Sequence, residues 1–293
     1  MSPAIDATVA VPAWPRDGAV FKDVAEEENI GGKGLNVARW LALRGADVAC
    51  GGLLGEENAA PFERELARCG VRDVFLRVPG LTRRNEMVVT PEGSFKLNRA
   101  AFPNLATDFD AGAVLDGADG EPGVAILSGS LPPSVPKSFY ADAVRVLKER
   151  GWRVALDASG DALRLGFEAA PDVVKPNAEE CAELAGFVPS SPEDFRRASA
   201  IIGKHVPFAV ISAGESGAWF NGEFVAAPHV EALDTTAAGD TLLAEFCWRM
   251  WGKGEELGAA ASWAVAAGSA AVTMPGGSPP PPVLVERLME EIK

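Results

Sequence analysis

A run of small residues ends in an aspartate just where a helical pattern begins, in the segment Asp234-Thr-Thr-Ala-Ala-Gly-Asp240. The first N–H groups of a helix lack partners inside the helix, and the helix dipole is positive there, so such a turn can bind an anion. A carboxylate beside that turn could take a proton from a hydroxyl nucleophile, while the amides stabilise charge on a phosphoryl group. Asp240 would be ionised at neutral pH, because a free aspartate has a pKa of about 3.9. An ordinary N-cap aspartate after a small-residue loop explains the same residues equally well.

A second segment, Gly31-Gly-Lys-Gly-Leu-Asn36, also leads into a helical pattern. Glycines let the backbone approach a ligand closely, and Lys33 and Asn36 supply a positive charge and an amide. The spacing is not that of a P-loop. A plain glycine-rich turn into a helix is the alternative interpretation.

Three further segments have residue types suited to ligands and are weak by themselves. Asn177 and Glu180 lie three residues apart, so they share one helical face, where an amide and a carboxylate could organise a hydrated Mg²⁺. Helix capping by Asn177 beside a solvated Glu180 is the alternative. Residues 212–217 (SAGESG) follow a predicted strand and could hold a nucleotide or form a hairpin turn. Residues 128–133 (SGSLPP) close another strand and could hold a ligand or only turn the chain.

The elements that would position these residues are predicted from short apolar runs that alternate with helical patterns from Val48 onward. Alternation of strands and helices indicates an α/β fold, with a mainly parallel central sheet and helices on both faces. The predicted strands are 124–127, 153–156, 172–174 and 208–211. Predicted helices follow the first of these strands and lie near 161–165, 177–185, 192–203 and 283–292.

Two stretches, about 8–30 and 74–98, interrupt this rhythm with short extended runs and turns containing Pro and Gly. Residues 88–90 and 94–97 predict a hairpin across residues 91–93. Ligands of open parallel sheets bind beyond the carboxyl ends of the strands, so we expect these stretches to form a small β lid over that end. The chain, 1–293, is predicted to be a single domain that includes the lid.

The composition excludes several classes of protein. Lys and Arg number 27 against 41 Asp and Glu, and the formal charge of −14 argues against nucleic-acid binding because polyanions are repelled. Two histidines argue against a histidine metal site or a Ser-His-Asp triad. Scattered cysteines indicate reduced thiols of a cytoplasmic protein. The N-terminus does not look like a signal peptide, and residues 257–274, rich in Ala and Gly, read as a buried helix rather than a membrane span.

Taken in order, these five segments resemble the ribokinase-like (PfkB) family of carbohydrate kinases over nearly the whole chain. The resemblance is greatest to the branch that acts on phosphorylated ketohexoses, the 1-phosphofructokinase and tagatose-6-phosphate kinase branch. Residues 3–6 (PAID), Thr82-Arg83 and residues 157–163 (DASGDAL) are further features typical of that branch.

The resemblance implies a ribokinase-like fold and ATP-dependent phosphorylation of a ketohexose phosphate of the fructose 1-phosphate or tagatose 6-phosphate type. The γ-phosphoryl group of MgATP would pass in line to a sugar hydroxyl deprotonated by Asp240. A homodimer is implied, because the lids of two subunits often clasp in relatives, and some relatives also bind K⁺. A kinase for an unphosphorylated sugar or nucleoside is one alternative, and a non-catalytic sugar or nucleotide sensor is another.

The resemblance also implies roles for individual residues. Asp240 would be the base, and the amides of Ala238, Gly239 and Asp240 the anion hole. Lys33 and Arg83 would receive the substrate's existing phosphate, Arg83 through a bidentate fork. The other implied positions are Asp6, Gly31, Gly32, Asn36, Asn98, Ser128 and Gly129 for the sugar; Lys175, Asn177, Ser212, Gly214, Gly217 and Gly268 for ATP; Glu180 for Mg²⁺ through water; and Asp234 and Thr236 for a monovalent cation.

Three features depart from the family pattern. Ala237 stands where the family has the first glycine of its signature. Residues 99–103 (RAAFP) replace a Pro-Gly-Pro-like turn that borders the presumed sugar pocket. The family usually has an apolar strand before Pro3, so we expect either a shortened chain or a sheet without that strand, and this bears on the position of Asp6.

Overall fold

The computed structural model describes residues 2–22, 24–102, 115 and 121–292. Their strands, in chain order, are β1 (Ala4–Ala10), β2 (Ala25–Gly31), β3 (Ala49–Gly55), β4 (Arg72–Val78), β5 (Arg84–Thr90), β6 (Gly93–Leu97), β7 (Val124–Ser128), β8 (Arg153–Asp157), β9 (Val173–Val174), β10 (Phe208–Ser212), β11 (Gly217–Phe220) and β12 (Glu223–Ala226). Their helices are α1 (Lys33–Leu43), α2 (Ala60–Cys69), α3 (Phe139–Glu149), α4 (Gly160–Glu168), α5 (Cys181–Ala185), α6 (Pro192–Ile202), α7 (Ala238–Cys247), α8 (Leu257–Ala271) and α9 (Pro282–Glu291).

The main sheet has six strands in the order β12-β11-β10-β9-β8-β7. Strands β7 to β10 are parallel, while β11 and β12 pair antiparallel at the other edge. Successive side chains of a strand point to opposite faces. Ala155 accordingly packs with α7 and α8 on one face, and Leu156 packs with α3, α4 and α6 on the other. The predicted parallel sheet with helices on both faces is therefore present.

A separate two-stranded parallel sheet is formed by β3 and β4. An apolar cleft of about 450 Å³ lies between this sheet and β7, lined by residues of β3, β7, α1 and the turn after α7. No strand in the described ranges lies in the cleft or pairs with the facing edges of β3 and β7. The described residues thus form a sheet without the apolar strand that the resembled family usually has before Pro3.

The remaining sheet has the order β2-β1-β5-β6 and contains most of the strands predicted to form the lid. Strands β5 and β6 pair antiparallel through Val88↔Phe95, which is the hairpin predicted from the sequence. The lid prediction is wrong for residues 74–78, because these belong to β4, which pairs with β3. Phe75 in that strand is buried in a core cluster with Phe62 and Leu66 of α2. The lid also begins earlier than residue 8, since Asp6 lies within β1.

Most predicted elements differ from the observed ones by a few residues. The exception is the helix predicted for 177–185, which is observed only from Cys181 to Ala185. Residues 177–180 form a capped turn instead. The stretch 257–274 contains α8, a largely buried helix that ends at Ala271. In the part of the chain that the structure describes, no helix is both long and apolar enough to cross a membrane.

Candidate active site

The first turn of α7 carries free backbone donors. Ala237 has a φ of +66°, in the left-handed region, which costs a residue with a side chain roughly 1 kcal/mol. The first helical hydrogen bond is donated by the N–H of Thr241 to the carbonyl of Ala237, at 2.9 Å. The N–H of Ala238, predicted as part of the anion hole, donates a long hydrogen bond of 3.5 Å to the carbonyl of Thr235, whereas the amides of Gly239 and Asp240 have no backbone acceptor within the described ranges. This end of α7 can therefore bind an anion.

The carboxylate of Asp240 is almost buried, with 5% of the residue exposed, and accepts a hydrogen bond from Asn36 Nδ2 at 2.8 Å. Burial is the main reason that its pKa is raised to about 6, and the negative charge of Asp157 acts in the same direction. Lys33, Asn36 and Lys175 oppose the rise. The expectation of an ordinary pKa is corrected because sequence reasoning took no account of burial. At pH 7 the ionised form still dominates.

We expect the catalytic rate to fall as the pH drops through about 6, because a protonated Asp240 cannot accept a proton from a hydroxyl. Since the pKa is raised from the usual aspartate range, the active form is lost at a higher pH than for an exposed aspartate. The measurement is kcat/KM between about pH 5 and pH 8, with enzyme stability checked at each pH. A rate that stays constant across that interval would contradict the expectation.

A buried carboxylate that sequence reasoning missed joins two lysines of the candidate site. Asp157 ends β8 and is fully buried. Its Oδ1 accepts a hydrogen bond from Lys33 Nζ at 2.9 Å, and its Oδ2 lies 3.2 Å from Lys175 Nζ. Burial alone would raise the pKa of Asp157, but the two lysines outweigh it and lower the pKa. Its position at the carboxyl end of a parallel strand is the signal that could have identified it.

The glycines before α1 permit close approaches that no other residue would allow. A Cβ at Gly31 would lie 2.2 Å from Asp6 Oδ2, and a Cβ at Gly32 would lie 2.9 Å from the Cα of Pro3. Gly32 also has a φ of +112°. Asp6 Oδ1 accepts a hydrogen bond from Asn85 Nδ2 at 2.8 Å. The glycine-rich segment therefore brings β1 of the lid against the start of α1.

Arg83 and Ser128 each contain a buried polar atom that has no hydrogen-bond partner among the described residues. Arg83 precedes β5 and is partly buried, with Nη2 3.4 Å from the carbonyl of Ser2 and no hydrogen-bond partner for Nε among the described residues. Burial lowers the pKa of Arg83, although the charge of Asp6 opposes this. Ser128 Oγ, at the end of β7, is likewise buried without a partner in that part of the chain. Unpaired buried polar groups cost free energy, so both are suited to a polar ligand.

The segment that follows β6 contains Asn98 and the altered residues 99–103. Asn98 is exposed and makes no hydrogen bond among the described residues, so its role stays a prediction. Arg99 pairs with Glu86 at 3.1 Å on the surface. Phe102, with a φ of +45°, is buried in the core beside α3. Pro103, the last residue of the altered segment, lies outside the described residues.

A cavity of about 1420 Å³ borders the start of α7. It is lined by most residues predicted for the nucleotide and the anion hole: Asn177, Ser212, Gly214, Gly217, Ala238, Gly239 and Gly268. The ammonium group of Lys175 lies beside the same helix start, because a Cβ placed on Gly239 would lie only 3.2 Å from Lys175 Nζ. Gly217 also has a structural reason to be glycine, because a Cβ there would lie 2.1 Å from the carbonyl of Val225 in the β11–β12 hairpin.

Comparison with known proteins gives the family. The profile described as "pfkB family carbohydrate kinase" matches residues 3–284. This chain belongs to the pfkB family of carbohydrate kinases. The predicted family and the predicted phosphotransferase activity are thereby confirmed.

Individual pfkB relatives agree with this membership. A protein of Rhodobacter capsulatus named 1-phosphofructokinase is 39% identical over 255 residues, which cover 83% of this chain and 80% of the relative. Phosphofructokinase-2 of Escherichia coli, solved with fructose-6-phosphate, superposes with a TM-score of 0.88 at 22% identity, over 100% of this chain and 97% of that one. Its complex with potassium gives a TM-score of 0.87 at 24% identity, over 99% and 96%. These structures show the predicted ribokinase-like fold.

The Asn177–Glu180 segment of this pfkB kinase is a capped turn, as in the alternative drawn from the sequence. The N–H of Asn177 donates to Glu180 Oε2 at 2.9 Å, and the N–H of Glu180 donates to Asn177 Oδ1 at 2.7 Å. Burial raises the pKa of Glu180, and its Oε1 accepts no hydrogen bond within the described ranges. One carboxylate oxygen is therefore available to a hydrated cation.

No group of three or more His, Cys, Asp or Glu side chains in the described part of this kinase could hold a metal ion by itself. Mg²⁺ usually keeps several waters and binds through one or two carboxylates together with substrate phosphates. Glu180 directly follows residues 177–179, which line the cavity of about 1420 Å³, and its unbonded carboxylate oxygen fits that requirement.

The loop before the signature turn is fixed by Asp234. Its Oδ1 accepts a hydrogen bond from the N–H of Thr236 at 2.8 Å, and its Oδ2 accepts one from the N–H of Gly276 at 3.1 Å. Burial would raise the pKa of Asp234, but these hydrogen bonds outweigh it and lower the pKa. Each oxygen keeps a lone pair, so the carboxylate can still ligate a cation.

Sequence reasoning also missed a polar contact that joins α1 to α7. Trp40 Nε1 donates to Glu245 Oε2 at 2.9 Å, and Glu245 is fully buried. Arg44 and Arg249 pair with the other carboxylate oxygen at 3.2 and 2.8 Å. The helices that carry Asn36 and Asp240 are thus held together one turn below the site.

Proposed function

We propose that this carbohydrate kinase transfers the γ-phosphoryl group of ATP to a hydroxyl of a phosphorylated ketohexose, of the fructose 1-phosphate or tagatose 6-phosphate type. The observation that carries the proposal is the position of Asp240. Its buried carboxylate bonds to Asn36 of α1, while the free amides beside it belong to a helix start that borders the nucleotide cavity. The 39% identity to a 1-phosphofructokinase supports a phosphosugar acceptor.

The mechanism assigns each group to one step. Asp240 accepts the proton of the attacking hydroxyl, which its raised pKa favours. The amides at the start of α7, with Lys175 beside Gly239, stabilise negative charge on the transferred phosphoryl group. Asp6 and Asn36 orient the sugar through its hydroxyls, which lowers the entropic cost of the reaction.

The substrate's existing phosphate is proposed to bind between Lys33 and Arg83. Lys33 Nζ is partly exposed, with 42% of its side chain accessible, and Arg83 has a nitrogen without a partner in the described residues. A guanidinium can bind two phosphate oxygens at once, which gives geometric specificity as well as affinity. Ser128, Gly129, Gly31, Gly32 and Asn98 complete the proposed sugar side.

Two cations are proposed from the donor groups present. Glu180 would hold Mg²⁺ through water beside the nucleotide phosphates, and bound Mg²⁺ would neutralise charge on those phosphates. Asp234 and Thr236 would hold K⁺ in the loop before α7. That loop leads directly into the turn at Ala237. A K⁺ ion bound in the loop would therefore influence the position of the anion-hole amides through the backbone that connects them.

The lid and the assembly are proposals as well. A closed lid would exclude water and so prevent hydrolysis of ATP in place of sugar phosphorylation. We propose that the lid belongs to a single kinase domain and that the lids of two copies clasp in a homodimer. Val89 of β5 and Leu97 of β6 are exposed apolar residues available to such a contact. A cytoplasmic location is proposed from the scattered cysteines.

A coupled assay of ATP consumption tests the proposed function. The panel holds fructose 1-phosphate, fructose 6-phosphate and tagatose 6-phosphate, with the unphosphorylated sugars and a nucleoside. We expect one ketohexose phosphate to have a kcat/KM at least about tenfold above its unphosphorylated counterpart, which corresponds to roughly 1.4 kcal/mol. Preference for an unphosphorylated sugar or the nucleoside would replace the proposal with the alternative kinase. Ligand binding without turnover of any member would favour the sensor.

A further inference from the structure

We propose that Asp157 is a positioning residue, which holds Lys33 and Lys175 as a pair on opposite sides of one buried carboxylate. The proposal rests on the proposed function, because Lys33 is proposed to bind the substrate's existing phosphate and Lys175 to stabilise the transferred phosphoryl group. No role at the site was expected for Asp157 from the sequence.

The two lysines come from separate parts of the fold. Lys33 begins α1, on the sugar side, and Lys175 follows β9, on the nucleotide side. One oxygen of Asp157 contacts each ammonium group, at 2.9 and 3.2 Å. A fully buried carboxylate is stable only with such partners. The contact therefore joins the two halves of the site through one side chain.

The pairing also controls charge. Two ammonium groups this close to one carboxylate would repel each other without it, and Lys175 has only 5% of its side chain exposed to solvent. With Asp157 ionised, the three groups together carry one net positive charge, which lies between the sugar side and the nucleotide side of the proposed site. Lys33 remains the more accessible of the two lysines, so it is the group best able to turn toward a ligand.

Asp157 influences the base in a second way. The groups that act on the carboxylate of Asp240 are Asp157, Lys33, Lys175 and the amide of Asn36. Asp157 raises the pKa of Asp240, whereas the other three lower it. Loss of the negative charge at position 157 should therefore weaken the base, in addition to releasing the lysines.

The test compares Asp157→Asn with Asp172→Asn. Asp172 is a buried aspartate directly before β9. It lies beside the start of β8, away from Asp157, and accepts hydrogen bonds from the N–H of Val154 at 2.9 Å and from Arg153 at 3.1 Å. The first readout is a carboxyl ¹³C NMR titration of Asp240 in the full chain, assigned from the signal lost in Asp240→Asn. We expect a lower pKa of Asp240 in Asp157→Asn and an unchanged one in Asp172→Asn.

This titration needs no substrate, so it separates the two proposals. Failure of the unaltered chain to turn over any sugar phosphate would overturn the proposed function without affecting the titration result.

The second readout is kinetic. We expect Asp157→Asn to lower kcat about tenfold, because misplaced groups lose their advantage of proximity. We also expect the acid limb of the kcat/KM profile to move to lower pH. An unmoved titration and pH profile, with only a loss of stability like that of Asp172→Asn, would overturn the positioning role.

A second pair of variants covers the case in which Asp157→Asn does not fold. Lys33→Met removes one lysine, and the double variant Asp157→Asn with Lys33→Met restores the charge balance of the buried group. We expect the pKa of Asp240 to be higher in Lys33→Met than in the unaltered chain, and to fall again in the double variant. Equal pKa values in the single and double variants would overturn the proposal.

Discussion

Replacement of Asp240 by asparagine is expected to lower kcat by about 10²- to 10⁴-fold, the range usual for a positioned general base. Asparagine keeps the shape of the side chain and can still accept the hydrogen bond from Asn36. It also removes a buried carboxylate whose pKa burial has already raised, so the substitution should not destabilise the fold. The expected loss is therefore chemical rather than structural.

The measurements are kcat by the coupled assay, ATP affinity by calorimetry and the thermal midpoint of unfolding. Asp161→Asn is a matched control, because Asp161 also lies in the first turn of a helix but is exposed and pairs with Lys137. We expect the control to keep its kcat and Asp240→Asn to keep most of its ATP affinity. A near-normal kcat in Asp240→Asn would remove Asp240 from the role of base.

The Arg83→Ala variant should bind a ketohexose phosphate about 10- to 100-fold more weakly, with a much smaller change for the unphosphorylated sugar. The net contribution of a hydrogen-bonded contact to a charged group is roughly 1.5–3 kcal/mol, which corresponds to a loss of about 10- to 100-fold in affinity. Arg83 is suited to the phosphate because its Nε has no partner within the described residues. The measurement is the ratio of the dissociation constants of the two ligands, obtained by calorimetry.

Arg84→Ala is the control for this experiment. Arg84 is the next residue in the chain, but its guanidinium pairs with Glu26 and Glu28 of β2. We expect that variant to leave the ratio of the two dissociation constants unchanged. Equal losses for both ligands in Arg83→Ala would assign the phosphate contact to another cation. Arg83→Lys should recover part of the affinity, since it restores the charge without the planar fork.

The sequence predicted the four parallel strands of the central sheet because their apolar runs depend on local pattern alone, whereas β12 was not predicted and β11 was implied only by the alternative of a hairpin turn at residues 212–217. Residues of β8 and β10 are apolar on both faces, as buried parallel strands must be, and the segments between them have helical periodicity. The segment before Asp240 was also informative, since a small-residue turn into a helix predicts free amides whatever surrounds it. Asn36 and Asp240 lie 204 residues apart; the family resemblance implied a role at the site for each of them, but their hydrogen bond was not predicted.

What the sequence did not reveal depends on tertiary contacts. The raised pKa of Asp240 follows from burial and from Asp157, which a different strand supplies. The helix predicted for 177–185 is shorter because Asn177 and Glu180 bond to each other's backbone in a turn. Residues 74–78 look like lid strands by composition, yet they pair with β3. Local extended character indicates a strand but does not say which neighbour it joins.

The cleft between β3 and β7 has a practical consequence for work with the purified protein. Among the described strands, each of these two has a partner on one side only, and the apolar side chains of β7 are only half-buried. Open strand edges serve as templates on which other chains can aggregate. We therefore expect the mean mass of the purified protein to rise with concentration without settling at one oligomer, because aggregation through open edges has no fixed stoichiometry.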